Sequence, residues 1–172
     1  MRCGVFTMKP LGDGKGRFEM EKANAAFRKF TYGVYVVGAR HADRTNALTC
    51  AWVMRVSHRP PLVAVAVGKT RFTHDLIAAS GAFSVNVLAE GQVELARHFG
   101  LKSGRDGDKF AGIPYREGRT GSPILEGVAA WLDCRLVEGF PAGDHTIFVG
   151  EVIDAGMGDR PPLVYDPRDY WG

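Results

Sequence analysis

Cysteine is scarce and unpaired in this sequence: Cys3, Cys50 and Cys134 are the whole complement, odd in number and far apart. With no C-x-x-C pair, a structural zinc site, an iron–sulfur cluster and a thioredoxin-type redox pair lack a ligand set, and a reducing cytoplasm is the expected setting. His41, His58, His74, His98 and His145 do not stand at metal-ligand spacing from one another or from the cysteines, so no metal is expected. Long apolar runs are also missing. No stretch approaches the roughly 20 apolar residues of a spanning helix, and none follows a basic start, so neither a membrane anchor nor an export signal is expected. A basic stripe is absent as well. The formal charge is +3, with Lys and Arg scattered among acids. That balance argues against a nucleic-acid partner and suits a small anionic ligand held by two or three cations. Hydrolase chemistry has no anchor, because there is no G-x-S-x-G and Asp106, Asp108, Glu117 and Glu126 form no acid–base pattern.

What is present is a chain of 172 residues, enough for one domain with a sizeable core. Residues 1–17 contain a Gly-rich polar stretch without apolar period and are expected to form a flexible N-terminal arm, leaving 18–172 as the folded domain. Helical spacing of Met20, Ala23, Phe27 and Phe30 predicts a helix over 18–30. Residues 34–39, 48–56, 62–67, 83–88, 129–137 and 147–153 are short runs rich in Val, Ile, Phe and Trp, bounded by turn formers, and read as strands. Residues 73–80 and 91–99 read as helices, with Thr73 a candidate N-cap and Gly81 just past the end of the first. Helices do not alternate regularly with strands. The pattern therefore predicts a mainly β fold with short helices, closed or nearly closed as a barrel. The strand at 62–67 is apolar on both faces, which needs either a helix or a second subunit as cover.

Three segments carry candidate chemistry. Lys69, Thr70, Arg71 and Thr73 join that strand to a helix N-terminus, where cations, hydroxyls and free backbone N–H groups together favour a phosphate. A Walker A loop is excluded because its first Gly position holds Val63 in mid-strand. The alternative is that Thr73 caps the helix and the cations are solvated. Asn46, Ala47, Leu48, Thr49, Cys50, Ala51 and Trp52 form a turn running into a strand whose small side chains would let a flat heteroaromatic ligand approach the backbone, or simply allow close packing. Asp144 and His145 occupy a turn, as a nicotinamide contact or as an exposed imidazole beside a carboxylate.

Taken together, Phe30-Thr31-Tyr32-Gly33-Val34-Tyr35-Val36-Val37, Asn46-Ala47-Leu48-Thr49-Cys50-Ala51-Trp52, Pro60-Pro61-Leu62-Val63, Arg71-Phe72-Thr73-His74, Ser80-Gly81-Ala82-Phe83-Ser84-Val85-Asn86-Val87-Leu88 and Gly143-Asp144-His145-Thr146-Ile147-Phe148-Val149-Gly150 resemble the flavin reductase-like family of FMN-binding split barrels. The resemblance implies a single-domain split β-barrel and a homodimer with one FMN per subunit near the interface. It implies that the FMN phosphate lies on residues 69–73, that residues 46–52 border the isoalloxazine, and that Asp144 and His145 lie on the nicotinamide side. It also brings Asn86 and the 102–110 loop, with Lys102, Ser103 and Arg105, to the flavin. Cys50 stands where many relatives carry Ala, Ser or Val, and Gly68 where Ser is frequent. The implied activity is hydride transfer from NAD(P)H to flavin, without an acid or base from the protein, in the reductase component of a two-component monooxygenase or in a ferric or flavin reductase. Implied partners are flavin and nicotinamide nucleotides and a monooxygenase or other electron-acceptor protein. The alternatives are a flavoredoxin-like FMN electron carrier and a barrel that binds a phosphorylated ligand without redox chemistry.

Overall fold

The computed structural model describes residues 16–171, so most of the expected arm lies outside the described residues. Residues up to Thr31 and residues from Tyr32 onward are two separate compact units. In the first, α1 (Gly16–Phe27) carries the expected helix but ends at Phe27 rather than Phe30. The chain leaves it in a turn in which the Phe30 N–H donates to the Phe27 carbonyl at 3.0 Å.

The second unit begins with the hairpin β1 (Tyr35–His41) and β2 (Arg44–Cys50), followed by β3 (Val53–Ser57), β4 (Leu62–Gly68), α2 (Phe72–Ser80) and β5 (Ala82–Val87). After α3 (Val93–Leu101) come a small hairpin, β6 (Tyr115–Glu117) and β7 (Pro123–Leu125), then the long strands β8 (Ala130–Ala142) and β9 (His145–Met157) and the short α4 (Arg168–Trp171). Seven strands form one antiparallel sheet in the order β2-β1-β5-β8-β9-β4-β3. Its two edges, β2 and β3, are consecutive in the chain but do not pair, so the sheet curls towards closure and stays split.

That seam explains why the single strand expected over 48–56 is two. The chain must leave one sheet edge and join the other, and it does so at Ala51 and Trp52. There Ala66 N–H donates to the Trp52 carbonyl at 3.0 Å. Strand also begins earlier than expected, at Arg44, because the β1–β2 turn is confined to Ala42 and Asp43. β6 and β7 were not expected, being three residues each and too short to show a period. β8 and β9 outrun their apolar segments because they pair with each other down to a tight turn at residues 143–144.

Alternation along β1 divides the core in two. Val37 and Ala39 face an inner cluster with Val63, Val65, Val67, Phe83 and Leu76 and Ile77 of α2, while Val36 faces an outer cluster with Ala47, Ala96 and Phe99 of α3, and Leu125. Ile77, Phe83, Val65 and Phe99 are wholly buried, each worth about 1.5–3 kcal/mol of transfer free energy. The two-faced strand foreseen at 62–67 is thus covered on its Val63, Val65 and Val67 side by α2. Thr73 does not cap α2. Arg71 holds the N-cap position in extended conformation without a side-chain cap bond, and Thr73 is the second residue of the helix, 1% exposed. Gly81 closes the helix with φ 67°, a left-handed conformation that glycine adopts at little cost.

Candidate functional site

β2 is the element from which the site grows. As an edge strand it leaves part of its backbone N–H and C=O groups outside the sheet ladder. Its side chains alternate between the two helices: Asn46 reaches α2, where its Nδ2 donates to Thr73 Oγ1 at 2.8 Å, and Thr49 reaches α3, where its hydroxyl donates to the Ala96 carbonyl at 2.6 Å. The free edge of β2 therefore runs along a cleft between the start of α2 and the end of α3.

The cleft encloses about 120 Å³ of water-accessible space. Asn46, Leu48 and Thr49 line one wall, Thr70, Arg71 and Thr73 a second, and Gly100, Lys102, Ser103 and Gly104 a third, with Lys109 beneath. Among the described residues three cations, Arg71, Lys102 and Lys109, border it and no carboxylate does. No side chain caps α2; the His74 N–H donates to the Arg71 carbonyl at 3.0 Å, and the other uncapped first-turn N–H groups are left for an anion. The loop after α3 is held close because Gly104 passes directly against Asn46. A Cβ there would collide with the Asn46 carboxamide.

Lys109 had no sequence signal of its own, being one cation in a polar loop. In the fold it is 5% exposed, and its Nζ donates to the carbonyls of Ala47 at 3.0 Å and Phe99 at 2.9 Å. Burial, with Arg71 adding repulsion, lowers its pKa to about 8.

Beside the cleft lies a ledge made from the other nominated residues. Lys69 Nζ donates to the Gly143 carbonyl at 2.6 Å and its backbone N–H to the Asp144 carbonyl at 3.0 Å, tying the loop before α2 to the β8–β9 turn. His145 Nδ1–H donates to Asp144 Oδ1 at 2.8 Å, and its ring packs on Trp52 with centroids 5.0 Å apart. The Asp144 carboxyl is held below its usual range by that bond first, then by the charges of His145 and Lys69. Cleft and ledge meet at Gly68, where a Cβ would lie 3.5 Å from Arg71 and 3.7 Å from His145 Nε2.

The remaining nominees are placed elsewhere. Arg105 pairs with Asp75 at 2.6 Å and lies with Arg44 over the Phe72 ring, in a neighbouring depression that shares Gly104 with the cleft. Ala47 is buried under α3, its carbonyl taken by Lys109, and Ala51 sits in the seam between β2 and β3. Cys50 is buried, with its thiol pushed up to about 11 by burial and weakly donating to the Ala66 carbonyl at 3.5 Å. It is an inert packing group. Asn86 is wholly buried. Its Nδ2 donates to the Val36 and Pro123 carbonyls and its Oδ1 accepts from Leu125 N–H, which pins β7 to β5. Among the described residues no group of three His, Cys, Asp or Glu could hold a metal ion, and no helix is long and apolar enough to cross a membrane.

Comparison with known proteins gives a consistent picture. The family model described as a flavin reductase like domain matches residues 27–172. The reductase component of 4-hydroxyphenylacetate 3-monooxygenase from Thermus thermophilus is 38% identical over 151 residues, 87% of this chain and 94% of that protein. High molecular weight rubredoxin from Moorella thermoacetica is 40% identical over 134 residues, 77% of this chain, which spans 58% of that longer protein. The solved NADH:FAD oxidoreductase of Streptomyces globisporus superposes with a TM-score of 0.79 at 33% identity, covering 93% of this chain and 95% of that one.

Proposed function

We propose that this chain, which belongs to the flavin reductase like domain family, is an oxidoreductase that binds FMN by its phosphate in the cleft at the edge of β2 and takes hydride from a reduced nicotinamide at the adjoining ledge. The observation that carries the reading is the cleft itself, where three cations, three threonines and an uncapped helix start converge with no carboxylate among the described residues. That donor set fits a phosphate ester. FMN, when bound, supplies the hydride-accepting chemistry.

The protein's own part is to place and to polarise. Arg71, Lys102, Thr70 and the first-turn amides of α2 hold the phosphate. The outer edge of β2 from Asn46 to Thr49, apart from the Ala47 carbonyl that Lys109 takes, offers backbone donors and acceptors to the heteroaromatic edge of the ring, and such fixed dipoles stabilise negative charge that develops there. Trp52 and His145, whose rings meet at 49°, form a partly exposed surface for the nicotinamide. With Nδ1 donating to Asp144, Nε2 of the neutral imidazole is left as an acceptor for a carboxamide N–H. No side chain is required as acid or base.

Dimerisation belongs to the same reading. Trp52, Met54 and Val56 in and beside edge strand β3, with Val137 and Phe140 on β8, are exposed apolar residues in the single chain. A second subunit against them would cover both an open sheet edge and the rim of the ledge. A cytoplasmic setting and an acceptor protein such as a monooxygenase complete the proposal.

Titration of the purified protein with FMN, FAD and riboflavin, followed by stopped-flow reduction with NADH and NADPH, tests it. Tight FMN binding and rapid reduction are expected. A chain that holds FMN but reduces slowly with either nucleotide would be an electron carrier, and one that stays colourless after soaking would be a non-redox barrel. Sedimentation at micromolar concentration is expected to show a dimer.

A further inference from the structure

We infer that Lys109 is the innermost anion ligand of the cleft, donating its one unused ammonium N–H to the flavin phosphate, and that phosphate binding is therefore coupled to a proton on this residue. The inference rests on the flavin reading above for the identity of the ligand, but the anion site stands on its own geometry.

An ammonium carries three N–H donors. Two of those on Lys109 are used by the Ala47 and Phe99 carbonyls. The third has no acceptor among the described residues. Nor does any ion pair among them include Lys109. A cation so buried without a counter-charge is costly, and two carbonyl dipoles offset only part of that cost. A structural role alone would be met more cheaply by a neutral donor.

The surroundings point the same way. Arg71 before α2 and Lys102 after α3 border the same cleft and repel the ammonium. The neighbouring Asp108 directs its carboxylate to the Phe110 N–H at 2.8 Å, and His98 of α3 meets the Lys109 backbone carbonyl at 2.7 Å rather than the side chain. Asp75 is engaged by Arg105. Among the described residues no carboxylate supplies the counter-charge, and the cleft beside the ammonium has room for one.

A consequence follows for pH. In the empty cleft Lys109 loses its proton near pH 8. A bound phosphate dianion favours the charged ammonium and raises that value, so binding takes up a proton once the pH exceeds about 8. Affinity for FMN should fall as pH rises through that point. Phosphate itself is already dianionic there, its second ionisation lying near about pH 6.

The test is titration of wild type, Lys109→Met and Lys109→Arg with FMN and riboflavin across this range, read by flavin fluorescence, together with thermal stabilisation by inorganic phosphate. The wild type should prefer FMN to riboflavin, less so above pH 8. Lys109→Met should lose about tenfold or more in FMN affinity, keep riboflavin, lose stabilisation by phosphate and show no pH dependence in this window. Lys109→Arg, whose charge does not titrate, should keep FMN with a flat profile. An unchanged FMN preference in Lys109→Met would overturn the inference, as would a pH profile that persists in Lys109→Arg. Equal losses of both flavins in Lys109→Met would also overturn it, reducing Lys109 to a tie between β2 and α3. If the wild type binds neither flavin, the flavin reading fails, and the phosphate arm alone decides on Lys109.

Discussion

The cleft and the ledge touch at Gly68 yet are built to opposite standards. The cleft rests on buried polar groups with fixed partners: Asn46 is 3% exposed and bonded to Thr73, and Lys109 is held by two carbonyls. The ledge rests on a turn. Asp144 and Lys69 are exposed there, Trp52 is 52% exposed, and its bonds can be exchanged for water. Geometry locked by burial suits a ligand that is gripped in one pose, whereas an exposed, loosely tied surface suits one that arrives and leaves with each turnover. Changes in the cleft should therefore read out in affinity for the phosphorylated flavin. Changes on the ledge should read out in the nicotinamide concentration required.

The sharpest way to break the contrast is Gly104→Val. A side chain there meets the Asn46 carboxamide, so either the 102–104 loop or Asn46 must move. Overpacking of this kind costs on the order of 1–3 kcal/mol, and a loss of up to about a hundredfold in FMN affinity is expected. Lys102 and Ser103 are exposed, so part of the strain is relieved by displacing the loop, and the thermal midpoint of the ligand-free protein should fall by less than that full cost implies. If FMN affinity is unaffected, the loop is no wall of the flavin site.

Arg71→Ala comes next. It removes a charge-assisted bond to phosphate, so FMN should weaken about tenfold or more while riboflavin does not. Lys69→Ala sharpens the comparison, since the ammonium of Lys69 is bonded to Gly143 and sits on the ledge side. A smaller effect on FMN is expected. Equal losses in the two variants would move Lys69 into the phosphate site and erase the boundary between cleft and ledge.

Much of this was legible in the sequence, and what was not has identifiable causes. The short apolar runs with Gly, Pro, Asn and Asp punctuation located the long strands, and the cations at 69–71 before a helix pointed to the cleft proposed here to hold the phosphate. The β2–β3 break was not visible, because Leu48 through Val56 keeps strand composition across it. Only the need to connect two opposite sheet edges interrupts the strand at Ala51 and Trp52. Thr73 looked like a cap by residue type. Its hydroxyl instead accepts from Asn46, 27 positions away, a contact that no local pattern encodes. Lys109 stood within the 102–110 loop that the resemblance brings to the flavin, but nothing singled it out there, because a lysine in a polar loop reads as solvated until the fold closes α3 and β2 over it.

On the ledge itself, His145→Ala should leave FMN bound and the fold intact. Loss of one polar contact to the second ligand corresponds to about 1 kcal/mol, so the NAD(P)H concentration for half-maximal reduction should rise roughly fivefold. Loss of FMN in this variant would show that His145 serves the cleft. No change at all would leave it a turn residue stacked on Trp52.

Asp144→Asn should have the smallest effect, and the direction is informative. The Asp144 carboxylate accepts the His145 Nδ1–H at 2.8 Å and is itself exposed, so water and salt screen whatever charge interaction it makes. Its pKa is lowered in the fold, so any stability it adds is present above the ordinary carboxylate pKa and is lost as the pH falls through the lowered value. Across the neutral range that contribution is constant and, screened by solvent, small, so the thermal midpoint of Asp144→Asn should shift little and without pH dependence. What the carboxylate does for a neutral imidazole is favour the tautomer that presents Nε2 as an acceptor. An amide oxygen in its place can still accept from Nδ1, though less strongly, so a rise of less than about threefold in the nicotinamide requirement is expected. The effect should vanish when His145 is already Ala, because Asp144 acts only through that ring. If Asp144→Asn costs as much in the Ala background as in the wild type, the carboxylate meets the nucleotide directly, and the ledge holds its ligand by charge rather than by shape.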